Sequence, residues 1–197
     1  MLSLAPYATT LLNIDLQLGF DHPRWGRRNN PFLERRASEL LRAWRLAGRP
    51  LVHVRHTSTD PSSPLLSGQR GNEFKPETAP LAGEVVIEKR VNSAFIGTSL
   101  ETRLRHAGCS GLVIVGLTTN HCVSTTARMA ANLGFATWVV GDATATFDRV
   151  GPDGVEHLAE KIHQVALSDL HGEFATVVDT AAVIDALQAP DSLRRVS

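Results

Sequence analysis

Short apolar runs of strand length alternate with longer segments of helical period along this chain, and no other feature restricts its fold as much. The runs fall at Thr9–Ile14, 51–54, 84–87, 112–115, 137–140 and 175–178. Helical segments are read at 31–47, 98–107, 118–133 and 155–170, with a short last one at 181–187. Each run is continuous and β-branched instead of alternating apolar with polar, which marks strands covered on both faces. Strands separated by helices join as parallel neighbours through crossovers. The expectation is a three-layer α/β/α sandwich around a six-stranded, mostly parallel sheet of Rossmann-like order 3-2-1-4-5-6. Its 197 residues, 43% of them hydrophobic, are enough for one core. No repeat or linker divides the chain, so residues 1–197 are expected to form a single domain.

The helix ends carry their own signals. Asn30 is placed to cap the 31–47 helix, Pro31 suits its first position, and Gly48 supplies a left-handed stop before Pro50. Thr98 and Glu101 form a capping-box pair opening a helix that stops at Gly108. The 55–83 connection, rich in proline, serine and glycine, is long for a compact domain and is expected to be functional, as a specificity loop over this site or a neighbouring subunit's.

Composition excludes several classes of function. Lysine plus arginine and aspartate plus glutamate number 20 each, so no net field gathers nucleic acid or acidic membrane. The longest apolar run, 112–117, is far short of the roughly 20 residues needed to span a bilayer. The apolar 1–8 stretch lacks a basic leader, and a cytoplasmic location is the expectation. Cys109 and Cys122 flank a strand about 20 Å long, which keeps them from bridging each other.

Sheets of this kind bind ligands beyond the carboxyl ends of their strands. The residues there are Asp15, the 53–60 segment, Lys89, 120–122 and Asp142. The turn after the first strand has one glycine where a dinucleotide fingerprint needs three, and no Walker lysine follows any strand, so nucleotide binding is not expected. Cys122 falls in the first turns of a helix, where the dipole favours a thiolate. Asp15 and Lys89 end strands at the same edge, supplying a base for the thiol proton and a cation to hold that base ionised. In the expected strand order Lys89 would start two strands, roughly 10 Å, from Asp15. His121 adjoins Cys122, and helical neighbours point about 100° apart, so it does not make a dyad with the sulfur but is free to line a pocket. Alternation along the second strand sends His53 and His56 to opposite faces, which weakens a metal site of these two with Asp60. A core or hydrogen-bonded histidine fits better. Arg24, Arg27 and Arg28 around Trp25 read as a solvated basic loop.

Three segments resemble the isochorismatase-like cysteine hydrolases, the superfamily of nicotinamidases, carbamoylsarcosine amidases and streptothricin hydrolase. They are Asp15-Leu-Gln-Leu-Gly-Phe20, Glu88-Lys89-Arg-Val-Asn-Ser-Ala-Phe95 and Gly116-Leu-Thr-Thr-Asn-His-Cys122-Val-Ser-Thr-Thr-Ala127. The resemblance runs from residue 9 to about 178. It implies Cys122 as nucleophile, Asp15 as proton acceptor and later donor, and Lys89 tuning both, with loss of Asp15 expected to raise the thiol pKa. It also implies a cis Leu117–Thr118 peptide with the Thr118 and Cys122 N–H groups as oxyanion hole, and Phe20, Asn92, Phe95, Asn120 and His121 lining the substrate pocket. No cofactor or metal is required, and a homodimer or homotetramer is implied. The 53–60 run lacks the Asp-x-His-Pro pattern of metal-dependent nicotinamidases, which tells against a zinc site and against nicotinamide. Members that hydrolyse the isochorismate vinyl ether do not need a thiol, so Cys122 favours C–N cleavage of a small amide, ureide or lactam through a thioester. The alternatives are vinyl-ether hydrolysis and a non-catalytic small-molecule-binding protein.

Overall fold

The computed structural model describes residues 2, 4 and 8–188; most of the 1–8 lead and the Arg194-Arg195 tail lie outside the described residues. Six strands, β1 (Thr9–Ile14), β2 (Leu51–His56), β3 (Val85–Lys89), β4 (Gly111–Leu117), β5 (Ala136–Ala145) and β8 (Thr176–Val178), form one sheet in the order β3-β2-β1-β4-β5-β8. All five pairings are parallel. This is the expected three-layer order, the sixth run being β8 because two short strands precede it.

Those two, β6 (Arg149–Val150) and β7 (Glu156–His157), form an antiparallel hairpin where the pattern suggested the start of a helix. The Gly151-Pro-Asp-Gly154 turn folds residue 155 back, with the Val155 carbonyl accepting from the Gly151 N–H. Helix α4 therefore begins only at Ala159 and runs to Leu170.

The sheet buries both faces. Leu12, Ile14, Val54, Ile87, Leu112 and Ile114 pack with helices α2 (Leu100–His106), α3 (Ser124–Asn132) and α4. Leu11, Val113, Val115 and Val140 face α1 (Leu33–Leu46) and α5 (Thr180–Gln188) on the other side. Every residue of β1 and β4 is buried, which explains their unbroken apolar runs.

Local signals were used differently from the expectation in two places. Asn30 does not cap α1: its φ is 45°, and its amide nitrogen donates to the carbonyls of Asp142 and Thr144, tying the helix entrance to β5. Thr98 accepts from the Leu100 N–H, but Glu101 pairs with Arg105 instead of closing a capping box.

The end of β4 is shaped by a close approach. Gly116 has φ 121°, and a Cβ there would sit 1.9 Å from the Ile14 carbonyl oxygen, so only glycine lets β4 run this close to β1. The β4–β5 register shifts at the same point. The Leu117–Thr118 peptide that follows is cis. Residues after it form a π-turn, Thr119–Val123, before α3, so 118–133 is not one continuous α-helix.

Candidate active site

Three strand ends meet at the carboxyl edge of the sheet. Asp15, just past β1, has φ 53°, a conformation aspartate tolerates better than most residues, and its N–H donates to the Val54 carbonyl. Lys89 closes β3, and Cys122 lies in the π-turn after β4. The Lys89 Nζ donates to Asp15 Oδ2 at 2.6 Å and to Cys122 Sγ at 3.2 Å, and also contacts His56 Nδ1 at 3.2 Å. The length of the lysine side chain thus closes the two-strand gap. Asp15 and Lys89 are fully buried, and Cys122 nearly so.

A buried ion pair requires each charge to be compensated. Burial alone would discharge the Lys89 ammonium, but Asp15 and then Cys122 outweigh it and move its pKa up. The thiol moves up as well: burial and then the Asp15 carboxylate push it to about 12, against the opposing pull of Lys89. This direction runs against the helix-end preference for a thiolate, because the sulfur sits in a buried π-turn beside a carboxylate. Asp15 Oδ2 is taken by Lys89, while Oδ1 has no hydrogen-bond partner among the described residues.

The ligating atoms of Asp15, His56 and Cys122 lie within 4.8 Å of one another, a spacing that suits a metal ion. The Lys89 ammonium contacts all three residues and is the cation of this cluster.

Of the residues expected around a substrate, Asn92 approaches the sulfur most directly, its Oδ1 lying 3.9 Å from Cys122 Sγ. His121 Nδ1 is 3.1 Å from Thr118 Oγ1 and 3.3 Å from Arg149 Nη2. A guanidinium only donates, so Nδ1 accepts from Arg149, while Nε2 lies 3.4 Å from the Asn120 amide nitrogen. Burial and then Arg149 lower the His121 pKa. Asn120 Oδ1 accepts from Thr146 Oγ1 at 2.5 Å. Phe20 stacks on Phe147 and packs against Trp25, whose indole N–H donates to the Gly19 carbonyl. Phe95 instead stacks on Phe135, inside the core cluster that holds Leu100 and Leu104.

The 55–83 connection is a frame behind this edge. The Leu18 N–H donates to the Glu73 carbonyl and the Lys75 N–H to the Leu16 carbonyl. Gly71 sits so close that a Cβ on it would lie 2.1 Å from the Pro64 oxygen and 3.0 Å from the Gly19 Cα. The Asn72 amide donates to the carbonyls of His56 and Leu65. The arginines around Trp25 are not simply solvated: Arg27 pairs with Asp148 and Glu160, and Arg28 with Glu34.

Two residues of this architecture, Gln17 and Asn72, are not singled out from sequence as site residues, and His56 is weighed there only as a metal ligand or a hydrogen-bonded histidine. Gln17 lay inside a recognised motif, and His56 had been separated from His53 by strand alternation. What would have placed His56 is the β2–β3 register, which sets it directly opposite Lys89.

A family profile of the isochorismatase domain matches residues 9–182. The chain belongs to the isochorismatase family of hydrolases. The uncharacterized isochorismatase family protein YrdC of Bacillus subtilis is 42% identical over 175 residues, covering 89% of this chain and 94% of that protein. A crystal structure of an isochorismatase-family protein from Chromobacterium violaceum superposes with a TM-score of 0.91 at 44% identity, covering 94% and 96% of the two chains. N-carbamoylsarcosine amidase from Thermoplasma acidophilum shares the fold with a TM-score of 0.70 at 27% identity, over 87% of this chain and 96% of its own. No described helix of this isochorismatase-family chain is long and apolar enough to cross a membrane.

Proposed function

We propose that this protein is a cysteine hydrolase that cleaves the C–N bond of a small amide, ureide or lactam through a thioester on Cys122. The observation that carries the reading is the fully buried Lys89 ammonium bonded to both the Asp15 carboxylate and the Cys122 sulfur. A thiol pushed up by burial needs a base in place at the moment of attack, and Asp15 Oδ1 is a carboxylate oxygen with no hydrogen-bond partner among the described residues. Asp15 takes the thiol proton as sulfur attacks the carbonyl carbon. The Thr118 and Cys122 N–H groups hold the tetrahedral oxyanion, and Lys89 offsets the charge that builds on sulfur. Collapse of the intermediate breaks the C–N bond, and Asp15 passes its proton to the departing amine or ammonia. Water, deprotonated by the same carboxylate, then attacks the thioester and frees Cys122. Asn92, Asn120, His121 and Phe20 contact the substrate in this scheme. Membership of a family that includes an N-carbamoylsarcosine amidase supports the C–N assignment.

The test is a panel of carboxamides, ureides and lactams assayed for amine or ammonia release, with intact-protein mass spectrometry of quenched reactions. An acyl adduct on Cys122 and loss of turnover in Cys122→Ala are expected. Full turnover in Cys122→Ala would overturn the covalent mechanism, and pyruvate release from isochorismate in place of amide turnover would overturn C–N cleavage.

A further inference from the structure

The three N–H bonds of the Lys89 ammonium have three acceptors. Two are the groups already assigned to the hydrolytic scheme, and the third is the Nδ1 of His56, 3.2 Å away. The contact is set by the sheet, because His56 and Lys89 are register partners on adjacent parallel strands and so face the same way. Arg55 and Glu88, one residue earlier in each strand, pair with each other on the opposite face.

His56 itself is held from several sides. Its backbone N–H donates to Gln17 Oε1 at 2.9 Å, and its carbonyl accepts from Gln17 Nε2 and from the Asn72 amide. An ammonium can only donate, so Nδ1, the nitrogen facing Lys89, is an unprotonated acceptor and the proton of the neutral ring is on Nε2. The ring is a neutral Nε2–H tautomer.

We propose that His56 is a positioning residue of this site: an imidazole whose Nδ1 lone pair fixes the Lys89 ammonium toward Asp15 and Cys122. This rests on the hydrolytic reading of the cluster. A lysine side chain has four rotatable bonds, and two acceptors leave its ammonium free to swing about the line joining them. A third acceptor on a neighbouring strand removes that freedom. The need is greatest during turnover, when the proton leaves sulfur and neutralises Asp15, so the Asp15–Lys89 attraction weakens while the His56 bond is unaffected. The charged and titratable groups facing the ring are Lys89 from β3, Asp15 from the end of β1 and Cys122 from the π-turn. Of these only Asp15 favours the imidazolium, and burial together with Lys89 keeps the ring neutral.

Two readouts test this separately from the hydrolytic reading. The first is ¹⁵N NMR of the histidine rings of the intact protein between pH 5 and 8, which needs no substrate. It is expected to show His56 as the Nε2–H tautomer, still neutral below the ordinary midpoint of 6.5. An Nδ1–H tautomer or an ordinary titration would overturn the proposal whatever the enzyme hydrolyses. The second compares His56→Ala with His56→Asn, whose side-chain oxygen stands close to the place of Nδ1, using the carboxamide that the panel identifies. The alanine variant is expected to lose roughly 10- to 100-fold in kcat with KM little changed. The asparagine variant is expected to recover most of that loss. A folded alanine variant with wild-type kcat, or an asparagine variant as impaired as alanine, would overturn the role. If the wild type turns over no amide, the hydrolytic reading fails, and the NMR result still decides whether His56 holds Lys89.

Discussion

His53 and His56 stand three residues apart on β2, both with pKa values lowered chiefly by burial, yet they belong to different kinds of structure. The His53 Nε2 meets Glu84 Oε2 at 2.9 Å and its Nδ1 meets the Asn13 amide at 3.0 Å. Glu84 is in turn held by a bidentate Arg45 and by the Leu81 N–H, and Asn13 also donates to the Thr78 carbonyl. This network pins β1, β2 and the start of β3 to α1. On the opposite face His56 touches a cation, which touches a thiol and a carboxylate. Each network leaves one buried oxygen without a partner among the described residues, Asn13 Oδ1 and Asp15 Oδ1. The amide oxygen cannot act as a base, whereas the carboxylate can. The difference between a tie and a site thus lies in which unsatisfied atom can take a proton, and not in burial or in the number of hydrogen bonds.

The sharpest way to break this comparison is to remove the cation from each side. Lys89→Met strands the buried Asp15 charge and is expected to cost about 3–5 kcal/mol of stability. It should also lower turnover by at least about 10³-fold, as loss of one member of an interdependent set does. Arg45→Met, the matching change behind Glu84, is expected to cost roughly 1–3 kcal/mol and to leave kcat nearly unchanged. Denaturant unfolding and steady-state kinetics on the two variants measure both quantities. Equal losses of turnover would erase the distinction between the faces.

A smaller effect is expected at His53. His53→Ala leaves the Asn13 amide and one Glu84 interaction unmet, at a cost of about 1–3 kcal/mol. Turnover should stay within a few-fold of the wild type, in contrast to His56→Ala. Calorimetry beside kinetics checks the pair, and a His53 variant that keeps its stability while losing turnover would reverse the assignment.

The pH dependence of stability sharpens the same contrast. Arg45 is the main cause that holds the Glu84 carboxyl at about 2, below its ordinary 4.5. A carboxyl depressed in the folded state stabilises above its unfolded pKa and loses that contribution as pH falls, here between about 4.5 and 2. The two histidines act at higher pH: both are kept neutral when folded, so the unfolded chain binds more protons below 6.5 and stability falls as pH drops through that value. Glu84→Gln should therefore flatten the loss of stability below pH 4.5 while leaving the histidine portion in place. Urea midpoints measured from pH 7 to pH 3 test this, and an unchanged acid limb in the glutamine variant would remove Glu84 from the account.

The sheet was legible in the sequence because burial on both faces writes continuous apolar runs at Thr9–Ile14 and in β4, and glycines punctuate the helices between them. The motif order of Asp15, Lys89 and Cys122 was legible for the same reason, each following such a run. What escaped were features without a hydrophobic signature. β2 and β3 continue as paired strands into polar His56 and Lys89, so the ladder that brings them opposite each other extends beyond the pattern that announces it. The hairpin at β6 and β7 has only two residues per strand, and the role of Asn30 depends on carbonyls of β5 that are distant in sequence. At Cys122 a sequence shows the helix end but not the carboxylate packed beside the sulfur, which pushes the thiol up.

That last point gives the smallest perturbation and a clear sign. A thiol with a midpoint of about 12 is alkylated only through its scarce thiolate, so iodoacetamide labelling of Cys122 should rise about tenfold per pH unit from pH 7 to 9, without a plateau. The buried Cys109, whose Sγ donates to the Gly111 carbonyl, serves as the internal comparison in the same peptide map. Asp15→Asn removes the second cause of the upward shift and retains Lys89, which pulls the thiol down. The variant should label Cys122 faster than the wild type at pH 8, even though it can no longer accept the thiol proton during turnover. Faster alkylation with lost hydrolysis would separate the two effects of Asp15: it suppresses the resting thiolate, and it is the base that makes the thiol reactive once a carbonyl is in place. A labelling plateau below pH 8.5 in the wild type, or slower labelling in the variant, would show instead that the carboxylate favours the thiolate and that sulfur is already charged before substrate arrives.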